Sequence, residues 1–319
     1  MSPSPGRRPK ASIVIRTFNE ERHIGSLLTA IEAQSFQDFE IVLVDSGSTD
    51  RTLQIAKRHA LKIESIDPQE FTFGRSLNRG IEAGWGEIIV IASAHVLPRD
   101  ADWLAALLAP FEDQQLAMAY GKQRGAEGSQ YSEDQHWRLW FPDKSDPDQT
   151  SNFSNNANSA VRRSIWQQQP FDEELTGLED IAWSSWARQQ GYKLAYVAEA
   201  EVAHLHDETP AQVINRYRRE AIALKQILPQ SRFTLWHFLS HFIGKSIADL
   251  RAALAEGLLA REFLNILNFR RRQYWGTYLG YRQNEALNHS DRLQFYYPPA
   301  ALEPNRPEQN GEPLGDLQS

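Results

Sequence analysis

The chain contains no cysteine among its 319 residues, so disulfide bonds and thiolate metal sites are both excluded. It also lacks a long apolar run. A membrane-spanning helix needs roughly 20 apolar residues, whereas the longest charge-free apolar stretch is residues 233–244. The first apolar run is only residues 13–15 and follows a polar, proline-rich start, so we expect neither a secretory signal nor a spanning segment. These absences favour a soluble, cytoplasmic protein.

An excess of positive charge is absent as well. The chain has 34 Lys and Arg against 41 Asp and Glu, and its net charge of −7 argues against a general nucleic-acid partner. Hydrophobic residues make up 41% of the chain, which is enough for a sizeable core. The length allows one large domain, or a domain of about 200 residues with an appendage.

Short apolar runs alternate with helical patterns in the first two thirds of the chain. The runs lie at residues 13–15, 41–44, 88–92 and 194–197. Between the first two runs, one helix face is indicated by the spacing of Ile24, Leu27, Leu28 and Ile31. This alternation predicts βαβ units and a mostly parallel sheet, and therefore an α/β fold.

Composition divides the chain into four predicted parts. Residues 1–10 and 298–319 are polar and proline-rich, which predicts disordered ends. Residues 11–207 hold the strand pattern, and within them residues 121–158 are rich in Gly, Ser, Asn and Asp and predict irregular functional loops. Residues 208–297 predict helices rich in arginine and aromatic residues. Such helices pack on the main domain or on a second subunit, or lie on a membrane surface.

The segment EIIVIASAHVLP contains the most informative strand. Its apolar residues predict a fully buried strand that ends at Ser93 and is followed by His95. Buried parallel strands end at the crevice where ligands bind in α/β sheets. We therefore expect Ser93 and His95 at a binding site.

Polar residues also follow the first two strands. Thr17, Asn19 and Glu20 come after the first strand, where the spacing of Thr17 and Glu20 fits either a helix capping box or a nucleotide site. Asp45 and Ser48 come after the second strand. An acid at that position can accept hydrogen bonds from a base or a ribose, or it can simply cap a turn.

The order of these motifs resembles that of family-2 glycosyltransferases of the GT-A fold. The resemblance covers most of residues 11–206 and rests on TFNEE, VDSGSTDRT, FTFGRSLNRGIEAGWGEIIVIASAHVLP, NFSNNANSAVRRSIW and PFDEELTGLEDIAWSSWARQQGYKLAYVAEAEVAHLH. It implies a GT-A-like nucleotide-binding sandwich with a C-terminal helical appendage. It also implies a nucleoside-diphosphate sugar donor and a hydroxyl-bearing glycan or glycolipid acceptor. Arg75 and Asn78, which precede the central strand, join the expected nucleotide-binding residues.

The motif Ser93-Ala94-His95 stands where this family usually carries an Asp-x-Asp metal signature. Neutral imidazole can bind Mn²⁺ or a similar metal, so His95 is a candidate ligand for a divalent cation, Mn²⁺ or Mg²⁺. Ser93 fits a ribose hydroxyl or a water on the metal. The resemblance implies a second, late histidine, and His204 and His206 point the same way on an extended segment. Structural or solvated imidazoles are the alternative.

Glu179 and Asp180 are adjacent acids at the start of a predicted helix, where acids also favour the helix dipole. The resemblance implies that Asp180 is the general base of an inverting transfer and that Glu179 contacts the acceptor or fixes the loop. Asn158, Arg162 and Arg163 are candidates for acceptor or phosphate contacts. The alternative for the two arginines is exposed loop charge.

Two other function classes stay open beside a metal-dependent glycosyltransferase. A sugar-phosphate nucleotidyltransferase would place a basic, glycine-rich loop after the first strand, but this chain has Asn19, Glu20 and Glu21 there. A non-catalytic nucleotide-sugar-binding scaffold is compatible with the lost metal carboxylates, although the intact acids at 179 and 180 argue against it. A lipid-linked acceptor would bring the protein to the inner face of the membrane as a peripheral protein.

Overall fold

The computed structural model describes residues 8–126, 128–205, 208–283, 287 and 289–297. The strands are β1 (Ala11–Thr17), β2 (Phe39–Asp45), β3 (Lys62–Ser65), β4 (Ile88–Ser93), β5 (Val96–Pro98), β6 (Leu116–Gly125), β7 (Asn158–Arg162) and β8 (Lys193–His204). The helices are α1 (Ile24–Glu32), α2 (Thr52–Ala56), α3 (Phe73–Ala83), α4 (Trp103–Leu108), α5 (Tyr131–Trp140), α6 (Arg163–Trp166), α7 (Glu179–Gln189), α8 (Pro210–Ile227), α9 (Leu235–Ala255), α10 (Leu259–Arg282) and α11 (His289–Tyr296).

The strands form one sheet in the order β3-β2-β1-β4-β7-β6-β8-β5. The first four positions are parallel, β7 runs antiparallel to its neighbours β4 and β6, and β8 returns to a parallel pairing with β6. The carboxyl ends of β1, β2 and β4 therefore meet at one edge of the sheet. The predicted α/β fold with a mostly parallel sheet is confirmed.

The two faces of the sheet bury separate hydrophobic cores, because neighbouring strand residues point to opposite sides. Ile13 and Ile15 of β1 face α1 and α4, whereas Val14 faces α3 and α7. On the second face α3 lies very close to the sheet, since a Cβ on Gly80 would stand 2.5 Å from a methyl group of Val14. The sheet with its two helical layers holds the strand ends rigidly.

Helices α8, α9 and α10 pack against one another after the sheet is complete. The contact between α8 and α10 is close, because a Cβ on Gly276 or Gly280 would meet main-chain oxygens of α8 at 2.4 Å. Arg270 of α10 and Asp249 of α9 form a buried ion pair at 2.7 Å. Among the described residues, no helix is long and apolar enough to cross a membrane.

The segment 121–158 is irregular only in part. It contains the end of β6 and all of α5, whose Trp137 packs into the protein, whereas residues 141–157 lie in no helix or strand. The structure also excludes one of the two alternatives for the first polar motif. Thr17 and Glu20 do not form a capping box, because α1 begins only at Ile24. The predicted disordered ends were residues 1–10 and 298–319. Of these, only residues 8–10 are among the described residues.

Candidate active site

A cavity of about 590 Å³ opens beside the carboxyl ends of β1 and β4. Strand ends from the sheet form one part of its wall. The first turn of α7 and the N-terminal part of α8 form another. Its charged and titratable lining includes Arg16, Glu20, His95, Glu179, Asp180 and His204. Five of these six side chains were predicted from the sequence, and chain folding brings them to one place from four separate segments.

His95 lies between β4 and β5, directly after the buried central strand. Its Nδ1 is 2.8 Å from Oε1 of Glu20, which follows β1. Because an ionised carboxylate only accepts hydrogen bonds, this contact places the imidazole proton on Nδ1 and the lone pair on Nε2. Glu20 therefore orients His95 rather than capping a helix.

His204 is brought beside His95 by the short strand β5. The antiparallel pairing of β5 with β8 sets Val96 opposite His204, and the two imidazole rings stack at 5.1 Å between centroids. Nδ1 of His204 lies 2.7 Å from Oε1 of Gln123, and Trp137 stacks at 5.6 Å from the ring. The amide oxygen gives His204 the same tautomer that Glu20 gives His95.

This arrangement suits metal ligation in part. A histidine that binds a metal usually donates its other ring N–H to a carboxylate or carbonyl oxygen, as His95 and His204 both do here. Within the described residues, however, no group of three or more His, Asp or Glu side chains is arranged to hold a metal ion. His206, the third predicted metal ligand, lies outside the described residues. The protein thus offers a pair of oriented imidazoles rather than a complete ligand set.

The two predicted acids begin α7, after Leu178 in the left-handed region with φ of 58°. Oδ2 of Asp180 accepts a hydrogen bond from the backbone N–H of Asn156 at 2.9 Å. Glu179 accepts a bond from the Asn156 side-chain amide at 3.4 Å and lies 3.5 Å from the Arg16 guanidinium. Both acids are buried, and both line the cavity.

Burial raises the pKa of the Asp180 carboxyl to about 7, and the negative charge of Glu179 adds to the effect. The backbone N–H groups of Asn156 and Ile181 and the positive charge of Arg16 act in the opposite direction. A carboxylate with its pKa near neutrality is a suitable proton acceptor. The cavity therefore contains a group fitted for general base chemistry.

Four arginines that were not predicted as site residues line the cavity, namely Arg16, Arg22, Arg216 and Arg219. The guanidinium groups of Arg16 and Arg219 lie 4.5 and 4.6 Å from the ring centroid of Phe73. Burial lowers the pKa of Arg16, and Glu179 and Asp180 oppose the shift. A charged residue at the end of the apolar strand β1 was the available sequence signal for Arg16. Arg219 on α8 had no comparable signal.

Three further predicted nucleotide-binding residues, Thr17, Asp45 and Ser48, form a separate layer at the strand ends. Asp45 accepts hydrogen bonds from the backbone of Gly47 and Ser48, both at 3.1 Å, and the Ser48 hydroxyl accepts one from the N–H of Asn19. Thr17 is buried, and its hydroxyl has no hydrogen-bond partner among the described residues. Of the whole predicted set, Asn19, Glu20 and Ser93 line the cavity.

An aromatic residue from the end of the described chain covers this layer. Tyr297 donates a hydrogen bond to the carbonyl oxygen of Ser46 at 3.2 Å. Its ring meets that of Phe18 edge to face, with 4.7 Å between centroids. Thr17 and Asp45, the neighbours of Phe18 and Ser46 in the chain, are only 4% and 3% exposed. No sequence pattern predicted this contact between residues 46 and 297.

Two predicted nucleotide-binding residues are not brought to the cavity. The Arg75 guanidinium pairs with Glu173 at 2.8 Å. Asn78 donates to the carbonyl oxygen of Phe171 at 2.9 Å and accepts from the Trp166 indole. Both side chains fasten α3 to the segment before α7, so we leave them out of the candidate site.

The predicted acceptor or phosphate residues are also placed elsewhere. Arg162 is 4% exposed and donates to main-chain oxygens of residues 111, 113 and 116, and Arg163 donates to those of residues 81 and 86. Asn158 accepts from the Trp103 indole and donates to the carbonyl oxygen of Ala200. These side chains donate hydrogen bonds to buried backbone carbonyl groups, which explains why polar residues are buried in and next to β7. They are therefore not part of the candidate site.

Comparison with known proteins agrees with the fold. The O-antigen chain rhamnosyltransferase RfbN of Salmonella typhimurium is 27% identical over 224 residues, which are 65% of this chain and 70% of that protein. The mannosyltransferase PcManGT from Pyrobaculum calidifontis, solved with GDP-Man and Mn²⁺, has a TM-score of 0.59 at 20% identity. The match covers 87% of this chain and 87% of that chain.

A further solved structure, that of TarS from S. aureus with UDP-GlcNAc, has a TM-score of 0.51 at 17% identity and covers 88% of this chain and 93% of its own. These structural likenesses show the GT-A fold. The model of glycosyl transferase family 2 matches residues 12–169. Residues 12–169 therefore belong to glycosyl transferase family 2, and the chain is a glycosyltransferase of the GT-A fold.

Proposed function

We propose that this glycosyltransferase moves a sugar from a nucleoside-diphosphate sugar to a hydroxyl group of a glycan or glycolipid, with inversion at the anomeric carbon. The observation that supports the proposal most directly is Asp180, a buried carboxylate with a raised pKa in the same cavity as two oriented imidazoles. The relatives support the acceptor class, since RfbN is named for an O-antigen chain. Synthesis of a polysaccharide or lipid-linked glycan is the proposed context.

The proposed reaction is a direct displacement. Asp180 takes the proton of the acceptor hydroxyl, and the hydroxyl oxygen forms the new bond to the anomeric carbon. The bond from that carbon to the diphosphate oxygen breaks, and its electron pair leaves with the nucleoside diphosphate. Arg16 and Arg219 place positive charge in the cavity wall, which favours the negative charge that develops on the leaving group.

The donor's nucleotide is assigned to the strand ends. Asn19, Glu20 and Ser93 line the cavity, and Thr17, Asp45 and Ser48 lie in the adjacent layer. The buried Thr17 hydroxyl without a partner among the described residues suits a ribose or a base. We assign Glu179 to the acceptor or to the Asn156 loop, which it already contacts.

A divalent cation, Mn²⁺ or Mg²⁺, is the proposed cofactor. His95 and His204 would hold it through Nε2, and oxygen atoms of the diphosphate or a further residue such as His206 would complete the ligand set. When bound, the cation stabilises negative charge on the departing diphosphate. PcManGT, whose solved structure contains GDP-Man and Mn²⁺, supports the choice of a divalent cation.

The site of action is proposed to be the cytoplasm at the inner face of the membrane, where a lipid-linked acceptor would be presented. The sugar and the base of the donor stay open, and a thermal-shift screen identifies them. The protein is heated with nucleoside diphosphates and their sugars, each with and without Mn²⁺ or Mg²⁺. A true donor at about 100 times its Kd stabilises the fold by roughly 2.7 kcal/mol.

The screen has a clear negative outcome. If every nucleotide sugar leaves the melting temperature unchanged with either metal, the proposed donor site is wrong. A control variant changes the exposed residue Asp148, which lies outside the cavity lining. Asp148→Asn is expected to show the same ligand-induced shifts as the unaltered protein.

A further inference from the structure

The hairpin of α9 and α10 exposes an unusually large apolar surface. Of the thirteen large hydrophobic side chains that are clearly exposed in the described part of the chain, nine belong to these two helices. On α9 they follow a four-residue spacing, so Leu235, Leu239, Ile243 and Ile247 form one stripe that points to solvent. Beside the stripe, Trp236 is 73% exposed. We call these five residues the apolar face.

The stripe does not contribute to the core of the protein. Helix α9 uses other residues, including the buried Ser246 and Asp249, for its packing against α10. A monomeric protein rarely exposes a contiguous apolar surface of this extent unless another surface covers it. The apolar face is therefore expected to have a partner.

Charge indicates the chemistry of that partner. Residues 228–283 contain eight Arg and Lys but only three Asp and Glu, although the whole chain has a net charge of −7. Asp249, one of the three acids, is buried in its pair with Arg270. The exposed charges near the apolar face are mainly cations, including Arg232, Lys245 and Arg251. A cationic rim around an apolar stripe complements an anionic surface that also has an apolar interior.

We propose that the apolar face docks on a lipid bilayer containing anionic headgroups. A helix with an apolar stripe and a cationic border lies in the bilayer interface, with its apolar side chains among the acyl chains. A second copy of this chain fits less well, because a two-fold contact would bring two positively charged hairpins together. The inference concerns a surface outside the cavity and does not depend on the identity of donor or acceptor.

Helix α5 connects this surface to the cavity. It packs on α10, its Leu139 is 67% exposed, and its Trp137 stacks on His204 in the cavity wall. Docking of the hairpin would therefore bring the cavity near the bilayer. A glycolipid hydroxyl at the headgroup level would then lie within reach of the site.

Vesicle co-sedimentation tests the proposal with the full chain. Vesicles of phosphatidylcholine mixed with phosphatidylglycerol are compared with vesicles of phosphatidylcholine alone, at low and at high salt. We expect binding to the anionic vesicles only, and less of it at high salt. Lys245→Glu should lower the partition coefficient by about fivefold or more, since each basic residue contributes about that factor near an anionic surface.

The apolar contribution is tested by the double variant Trp236→Ser with Ile243→Ser. It should reduce partitioning by at least about tenfold. Trp85→Ser is the matched control, because Trp85 is 61% exposed but lies between α3 and β4, away from the hairpin. Its binding should be unchanged. Equal melting temperatures show that the variants remain folded.

Three results would overturn the proposal. One is the absence of binding to anionic vesicles at low salt. Another is unchanged binding by the double variant. The third is a stable dimer in light scattering that the double variant abolishes while vesicle binding is absent, because the apolar face would then be a subunit interface.

Discussion

The carboxyl group of Asp180 combines two properties that a general base requires. It is held in one orientation by backbone N–H groups, and it is buried enough to have its pKa raised to about 7. Arg16 and the N–H donors keep the carboxylate form accessible at neutral pH, because they oppose the effect of burial. In the proposed role, Asp180 would therefore accept a proton at neutral pH.

Activity should therefore depend on the protonation state of Asp180. A protonated carboxyl cannot accept the proton of the acceptor, so kcat/KM should rise with pH through the neutral range and level off above it. A pH profile of initial rates, measured with saturating metal, checks this expectation. A profile that is flat across the neutral range, or that falls with rising pH, would contradict the role of Asp180.

The second prediction at the scale of one side chain concerns His95. His95→Ala removes one of the two oriented imidazoles, so the apparent affinity for Mn²⁺ should fall by about tenfold or more. A metal titration of donor binding measures this change. His59→Ala is the control, because His59 pairs with Glu32 outside the cavity lining. Unaltered metal affinity in His95→Ala would remove this histidine from the site.

At the scale of elements, Tyr297 after α11 lies beside the strand ends to which the nucleotide is assigned. Its ring packs on Phe18, and its hydroxyl group donates a hydrogen bond to the carbonyl oxygen of Ser46. We expect a nucleotide base that binds at the proposed site to displace this ring. The state with the ring in place would therefore reduce the apparent affinity for the donor.

Tyr297→Ala should consequently tighten nucleotide binding. We expect a severalfold lower Kd for the nucleoside diphosphate in calorimetry, whereas Tyr297→Phe keeps the ring and should change the Kd little. Melting temperatures of both variants check that the fold is retained. Weaker binding by Tyr297→Ala would mean that the ring stacks on the nucleotide instead of excluding it.

Elements with their own sequence signal were predictable, and contacts between distant segments were not. The apolar run before Ser93 predicted β4, and the adjacent acids predicted the start of α7, because burial and helix charge are local patterns. Arg162 was misjudged because its hydrogen-bond partners are main-chain oxygens about 50 residues away. The same limit applies to Tyr297, whose contacts near Phe18 are set only by the tertiary fold.

At the scale of the whole molecule, the buried acid has a cost in stability. Its folded pKa lies above the unfolded value of about 3.9. The folded state therefore binds the proton more tightly than the unfolded state does. Protonation of Asp180 stabilises the fold fully at acid pH, and this stabilisation is lost as the pH rises through neutrality. An active site that needs an ionised Asp180 thus works against the stability of the fold.

Replacement of Asp180 by a neutral amide should remove this loss of stability at higher pH. We expect the melting temperature of Asp180→Asn, relative to the unaltered protein, to be higher at mildly alkaline pH than at acid pH by about 2 °C or more. Calorimetric scans of both proteins at the two pH values measure the difference. An equal difference at both pH values would show that Asp180 has an ordinary pKa.

The candidate site as a whole was predictable in its acids and in its imidazole pair. His95 follows β4, His204 ends β8, and Glu179 and Asp180 begin α7, so each stands at the boundary of an element. The arginines of the cavity wall were found only in the structure, because contacts such as that of Arg219 on α8 with Phe73 join segments that are far apart in the sequence.

One measurement tests the central claim most directly. The transfer rate and the donor Kd of Asp180→Asn are compared with those of the unaltered protein, at saturating metal and acceptor. If Asp180 is the general base, kcat falls by roughly 10²-fold or more while the donor Kd stays within a small factor. A variant that transfers sugar at the normal rate would show that the proton is removed by another group.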